Sequence, residues 1–219
     1  ALLGGQRADV RRTAVASLAK VADRGNEQAL EALSARLEDA DAGVRQEAFQ
    51  ALVALAEEGD SRAIAAATQR LQSPSSYVRK LAVEALGKVA GKGDEAVVGL
   101  LSAALQDASP DVRRAALGAV GKVARRGDQG AVSAVSQRLE DPLANVRRAA
   151  AEALSAVAER GDEQVALGVS KLLQHADADV RSSALGALAK VVETGDQSAI
   201  AAAAALLEDD RAEVRRAAA

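Results

Sequence analysis

Apolar residues between positions 110 and 142 recur with the spacing of two short helices rather than with the alternation of strands. The first stripe holds five residues at i, i+4, i+5, i+8 and i+11: Val112, Ala116, Leu117, Val120 and Val123. The second stripe is shorter and holds four residues: Ala131, Val132, Val135 and Leu139. This pattern predicts a helix A of about fourteen residues and a helix B of about twelve, each too short to be stable alone.

Local signals predict where the two helices begin and end. Ser109 followed by Pro110 is typical of a helix N-terminus, because serine caps the first turn and proline is tolerated there. Gly127 is expected where the chain leaves helix A in a left-handed conformation. Asp128 follows at once and is expected to cap helix B, so the sequence predicts a tight Gly-Asp turn between the helices.

The same arrangement returns every 34 residues along the chain. The dipeptide Val-Arg recurs at that spacing, without a slip, from Val10-Arg11 to Val214-Arg215. A Gly-Asp or Gly-Asn pair keeps the same phase from Gly25-Asn26 to Gly195-Asp196. Because two separate markers share one period, the chain is interpreted as an array of structural repeats.

The period predicts an all-α fold, an α-solenoid of antiparallel helix pairs with six full repeats and partial repeats at both ends. Since the phase never breaks, a single solenoid over residues 1–219 is expected. Ala1-Leu2-Leu3 lies six periods before Ala205-Leu206-Leu207, which places the first residues in the last turn of a helix. Neither end carries a polar capping repeat, so we expect an excerpt of a longer array.

The loop aspartate, the Val-Arg pair and the Ala/Leu stripe of residues 107–117 and 177–181 resemble the short HEAT-like repeats, a class also found in phycobilisome lyases. The aromatic signature of the tetratricopeptide repeat, which shares the 34-residue period, is absent. The resemblance implies a right-handed superhelix whose B helices line the concave surface. It also implies that the Val-Arg arginines pair with loop aspartates of the same or the adjacent repeat.

Composition excludes several kinds of chemistry. The chain has no cysteine and one histidine, so neither a thiolate nucleophile nor a cysteine or multi-histidine metal site is expected. A formal net charge of −3 and only two aromatic residues, one Tyr and one Phe, argue against nucleic-acid binding. No apolar run reaches the roughly 20 residues of a membrane span, so direct membrane insertion is not expected. No catalytic residue and no cofactor are predicted.

Aligned arginines are the most regular polar feature, and the following seven residues are called the arginine ladder: Arg11, Arg45, Arg79, Arg113, Arg147, Arg181 and Arg215. Most loops before helix A carry an aspartate, but Ser73 and His175 replace it in two repeats. Because a guanidinium binds a carboxylate through two parallel hydrogen bonds, the ladder is predicted to be structural. Phosphate binding is the weaker alternative.

The predicted solvent side of helix B differs from that of helix A, which carries ordinary lysines and glutamates. Helix B presents small and neutral residues together with a few large ones. Six of these residues are the candidate protein-binding set, called the B-helix face: Glu31, Gln69, Leu100, Gln137, Leu167 and Lys171. Leu100 and Leu167 fall outside the apolar stripes and are predicted to seat an apolar segment of a partner.

The sequence therefore predicts a non-enzymatic protein–protein interaction scaffold, or a structural subunit of a larger assembly, whose protein partner it does not identify. Two alternatives stay open. The chain is an accessory subunit of a bilin-lyase-like enzyme, or it is an engineered consensus-like array with no natural partner. Fold alone does not decide among them, because such arrays serve many roles.

Overall fold

The structure is a computed structural model that describes residues 7–219. The helical turn predicted for Ala1 to Leu3 lies outside the described residues. Within 7–219, thirteen α-helices alternate with turns and short 3-10 segments, and no strand occurs. The all-α solenoid of 34-residue helix pairs is thereby confirmed.

The odd-numbered helices are the predicted A helices. They are α1 (Ala8–Val21), α3 (Ala42–Leu55), α5 (Ser76–Val89), α7 (Pro110–Val123), α9 (Ala144–Val157), α11 (Ala178–Val191) and α13 (Ala212–Ala218). The first six have 14 residues each, as the periodicity predicts. The five residues of the predicted α7 stripe are all buried. Burial of this stripe stabilises a helix that would unfold in isolation.

The even-numbered helices are the predicted B helices. They are α2 (Glu27–Ala35), α4 (Ser61–Arg70), α6 (Glu95–Ala104), α8 (Gln129–Ser136), α10 (Glu163–Lys171) and α12 (Gln197–Ala205). Each has 8 to 10 residues, fewer than predicted. The apolar stripe overstates their length because it runs on into a 3-10 turn. Leu139, for example, is buried but belongs to the 3-10 turn Gln137–Glu140.

Polar side chains fix the start of every B helix. In each case the Asn or Asp before the helix accepts a hydrogen bond from a backbone N–H of the first turn, at 2.9–3.1 Å. These bonds satisfy donors that the helix itself leaves unpaired. The A helices are capped less uniformly: Asp41 accepts from the N–H of Val44, whereas Ser109 makes no side-chain cap bond.

The turn between the two helices of a repeat differs from the prediction in one respect. Gly127 has φ +83°, so its left-handed conformation is confirmed. Its predicted position at the exit of helix A is wrong, because α7 ends at Val123 and extended Ala124 terminates it. Gly127 instead lies just before Asp128, in the turn that leads into α8.

The same glycine links neighbouring repeats through the main chain. Its N–H donates to the carbonyl oxygen of the last residue of the next A helix. Five such bonds, at 2.6–2.8 Å, join Gly25 to Leu55, Gly59 to Val89, Gly93 to Val123, Gly127 to Val157 and Gly161 to Val191. Each bond therefore satisfies a terminal helix carbonyl of the following repeat.

The chain divides into two compact units, the first ending at Gly91 and the second spanning Lys92–Ala219. In the first unit α1 packs against α3, and α4 packs against α5. In the second unit α7 packs against α9, α9 against α11, and α11 against α13. The expectation of one array over residues 1–219, excerpted from a longer one, stays a prediction.

Candidate functional site

Six of the seven arginines of the ladder, from Arg45 to Arg215, use one edge of the guanidinium in the same way. Nη1 donates to two successive backbone carbonyls of the loop that precedes its own A helix, five and six residues earlier. The N–O distances are 2.6–3.2 Å for Arg45, Arg79, Arg113, Arg147, Arg181 and Arg215. The guanidinium therefore fixes the loop to the first turn of helix A.

The other edge, formed by Nε and Nη2 and called the forward edge, binds the loop of the next repeat. In three repeats both nitrogens donate to a single aspartate 28 residues further on, at 2.7–3.0 Å. The pairs are Arg11 with Asp39, Arg113 with Asp141, and Arg181 with Asp209. This is the parallel two-bond geometry that makes arginine–carboxylate pairs strong.

Each of these aspartates also organises its own loop. Oδ1 of Asp141 accepts the N–H of Leu143, and the carboxylates of Asp39 and Asp209 each accept an equivalent N–H. In the second unit, Arg113 and Asp141 are both buried, with side-chain exposures of 11% and 1%. One buried carboxylate thus accepts hydrogen bonds from both the guanidinium of the preceding repeat and an N–H of its own loop.

These contacts lower the pKa of the loop carboxyls. The hydrogen bond from Arg11 lowers the pKa of Asp39 to about 2, aided by the backbone N–H of Asp41. Burial alone would raise the pKa of Asp141, but the hydrogen bonds from Arg113 and Leu143 and the nearby positive charge outweigh it, so the pKa is lowered. The ionised form of both aspartates is therefore favoured.

Arg147 departs from this pattern because the next loop carries His175 in place of aspartate. Nδ1 of His175 accepts the N–H of Asp177 at 3.0 Å, so the imidazole keeps the loop-organising bond. The forward edge of Arg147 finds other partners on α11: Nε lies 3.4 Å from Ser183 Oγ, and Nη2 lies 3.3 Å from Asp179 Oδ2. Both distances exceed those of the two-bond pairs.

Two of the candidate residues of the B-helix face lie in the first unit and four in the second. Glu31, Gln69, Gln137 and Lys171 are exposed. Leu167 on α10 is 53% exposed, whereas Leu100 on α6 is only half-buried. These two leucines lie on different helices, with α8 between them in sequence. The structure therefore places them on separate B helices rather than in one cluster.

Leu167 borders a groove of about 850 Å³ between α10 and α12. Small and amide-bearing residues form much of its wall: Ala166, Ala199, Ala202, Gln164 and Gln197. The groove also has three carboxylates, those of Glu163, Glu193 and Asp196, the last of which caps α12. The combination offers apolar contact area beside acidic groups.

The outer surface of the A helices in the second unit has a different character. A groove of about 700 Å³ between α7 and α9 is lined by Arg114, Lys122, Arg148 and Glu152. Gly118 and Gly121 leave the space open, because neither carries a side chain. Basic residues thus outnumber acidic ones along this groove.

Two further observations bear on the kind of site. Among residues 7–219, His, Asp and Glu side chains nowhere gather into a group of three that could hold a metal ion. None of the helices described is long and apolar enough to cross a membrane.

Solved structures similar to this chain are helical-repeat proteins. A designed armadillo repeat protein in complex with the peptide (KR)4 superimposes with a TM-score of 0.62 at 23% identity, over 87% of this chain and 96% of that one. An engineered protein superimposes with a TM-score of 0.58 at 24% identity, over 88% of this chain and 96% of that one. The Escherichia coli protein YibA superimposes with a TM-score of 0.55 at 20% identity, over 98% of this chain and 74% of that one. At these identities the likeness shows the fold alone.

Sequence comparison with curated proteins finds no match. The sequence profile of the HEAT repeats, in contrast, matches three overlapping segments, residues 1–87, 50–119 and 97–167. Those segments together cover residues 1–167 of the 219. They include the Val-Arg arginines from Arg11 to Arg147, with the loop aspartates and Gly-Asp turns of the same repeats, and the chain therefore belongs to the HEAT-repeat family.

Proposed function

We propose that this chain is a non-enzymatic scaffold that binds a protein partner through the part of its B-helix face that lies in the second unit. The observation that carries the proposal is the exposure of Leu167, 53%, beside a groove whose wall combines alanines and amides with three carboxylates. The fold is typical of non-enzymatic scaffolds. A similar fold, the designed armadillo protein, is bound to a peptide in its solved structure, which supports a binding role.

Desolvation favours contact with the neutral part of this face over contact with the charged outer surface of the A helices. Removing alanine, glycine and serine from water carries a small free-energy penalty, whereas burying unpaired lysine or glutamate carries a large one. Small side chains also lose little rotamer entropy on contact. Leu167 would supply the apolar anchor, while Gln137 and Lys171, both exposed, would form polar contacts at the rim.

The test compares Leu167→Glu with a matched control, Lys122→Glu, which introduces the same residue on the outer surface of α7. Affinity capture with quantitative mass spectrometry identifies partners of the unaltered protein. We expect Leu167→Glu to lose the partner and Lys122→Glu to retain it, with nearly equal urea unfolding curves because Leu167 is exposed. A partner lost with Lys122→Glu and kept with Leu167→Glu would contradict the proposal.

A further inference from the structure

Arg147 differs from the other buried arginine of the second unit in what meets its forward edge. Arg113 has a buried carboxylate there, that of Asp141, with 1% side-chain exposure. Arg147 has there the hydroxyl of Ser183, 3.4 Å from Nε, and the carboxylate of Asp179, whose side chain is 64% exposed and reaches Nη2 through one oxygen at 3.3 Å. The side chain of Arg147 is itself only 2% exposed. The only carboxylate that meets this edge of the buried guanidinium, among residues 7–219, is therefore mostly in water, and a neutral hydroxyl occupies the other nitrogen.

A cavity of about 360 Å³ between α9 and α11 adjoins this edge, with Arg147 in its wall. Arg148 and Lys190 also line it, and neither makes an ion pair with any residue in 7–219. Gly186 on α11 leaves the wall open, since a Cβ there would meet no atom within 4 Å. The cavity is thus accessible and carries unpaired positive charge.

The two acidic residues of the cavity do not neutralise these cations. Glu213 is engaged by Arg211, whose Nε and Nη2 lie 3.1 and 2.9 Å from Glu213 Oε1. Asp179 contacts Arg147, and its exposed side chain can rotate into solvent without breaking another side-chain bond. Positive charge therefore dominates the wall once Asp179 turns away.

We propose that this cavity is a carboxylate subsite, in which an aspartate or glutamate side chain of a protein partner binds the forward edge of Arg147. The incoming carboxylate would accept two parallel hydrogen bonds from Arg147, of the kind that Arg113 donates to Asp141, and would replace Ser183 Oγ at Nε and Asp179 at Nη2. Arg148 and Lys190 would attract neighbouring acidic residues of the same segment. The subsite lies on the A helices and is independent of the B-helix face.

The ligand is expected to be a carboxylate rather than a nucleic-acid backbone. The pair that Arg147 lacks is supplied by aspartate in three other repeats of this chain, with N–O distances of 2.7–3.0 Å. The planar fork therefore already binds this group in the same setting.

The probe is a hexaglutamate peptide, acetylated and amidated so that only side-chain carboxylates are present. The readout is the Nε–H resonance of Arg147 in 1H–15N spectra of the whole chain at constant ionic strength, assigned by its loss in Arg147→Lys. We expect a saturable shift of this resonance. His175→Asp, which supplies the missing loop carboxylate, should weaken binding about tenfold, the effect of one charge-assisted pair.

Two control variants carry the same charge changes elsewhere. Ser73→Asp also adds a loop carboxylate, but in the first unit, and should leave peptide affinity unchanged. Asp179→Asn removes the carboxylate charge that competes with the peptide for Arg147, and should tighten binding a few-fold. Asp111→Asn is the control for it, at the equivalent position of α7 and also 64% exposed, and should leave peptide affinity unchanged.

Three results would overturn the proposal. The Arg147 resonance fails to shift with hexaglutamate, or His175→Asp and Ser73→Asp alter affinity equally, which would indicate only general electrostatics. Tighter binding of a short DNA duplex with the same Arg147 shift would assign the site to phosphate instead. None of these results bears on Leu167, so the proposed function is tested separately.

Discussion

Arg113 and Arg147 occupy equivalent positions one repeat apart, are both buried, and differ in the partners of the forward edge. Arg113 meets a carboxylate that is as buried as itself and is bound through both oxygens. Arg147 meets one that is mostly exposed and bound through a single oxygen. The comparison teaches that burial of an arginine does not define its energetic role. The role depends on whether the partner is desolvated with it.

The largest expected difference is in the free energy of unfolding, when the carboxylate that meets each arginine is removed. Asp141→Ala leaves Arg113 buried without its counter-charge and should lower the free energy of unfolding by about 3 kcal/mol. Asp179→Ala removes an exposed partner and should lower it by about 0.5 kcal/mol. Urea denaturation followed by circular dichroism measures both values. Equal losses in the two variants would mean that the two arginines do not differ as described.

A smaller difference in the free energy of unfolding should appear at acidic pH. The pKa of Asp141 is lowered in the folded chain, so its contribution to stability is complete above its unfolded pKa and is lost as pH falls through the folded value. Asp141→Asn cannot lose this contribution. The gap in unfolding free energy between the unaltered chain and Asp141→Asn should therefore narrow as pH falls from 7 towards 3. Urea titrations at several pH values check this, and a gap that stays constant would contradict it.

The last expected effect is a gain in stability. His175→Asp should give Arg147 a loop carboxylate of the kind that Arg113 has, and should raise the free energy of unfolding by about 1 kcal/mol. His175→Asn is the control, because it can accept the N–H of Asp177 but carries no charge. If both variants have the same stability, the forward edge of Arg147 does not need a carboxylate for folding.

Sequence reasoning was most successful where one residue type has one physical reason to occur. Asp128 caps α8 as predicted, because few residues can accept a first-turn N–H. Gly127 has the predicted positive φ. Its position relative to the end of α7 was wrong, because that end depends on extended Ala124, a residue that the sequence does not distinguish from helical alanines.

The partners of the forward edge of Arg147 could not be predicted from the sequence, for a different reason. The substitution of His175 for aspartate is visible in the repeat, so a missing carboxylate could be noticed. That Asp179 and Ser183 on α11 approach the guanidinium instead depends on how α9 and α11 pack, which periodicity does not specify. The exposure of Leu167 was likewise predicted only by its place outside the stripe, and the groove beside it depends on Ala166, Ala199 and Ala202.

The hydrogen bond from the turn glycine to the next A helix has a consequence for how such a chain can grow. Both atoms of the bond belong to the main chain, so the junction makes no demand on the side chains of either repeat beyond the glycine itself. A duplicated or exchanged repeat that keeps this glycine would join its neighbour through the same bond, even if its surface residues have been substituted. Surface residues can then diverge from copy to copy while the connection between copies is inherited intact.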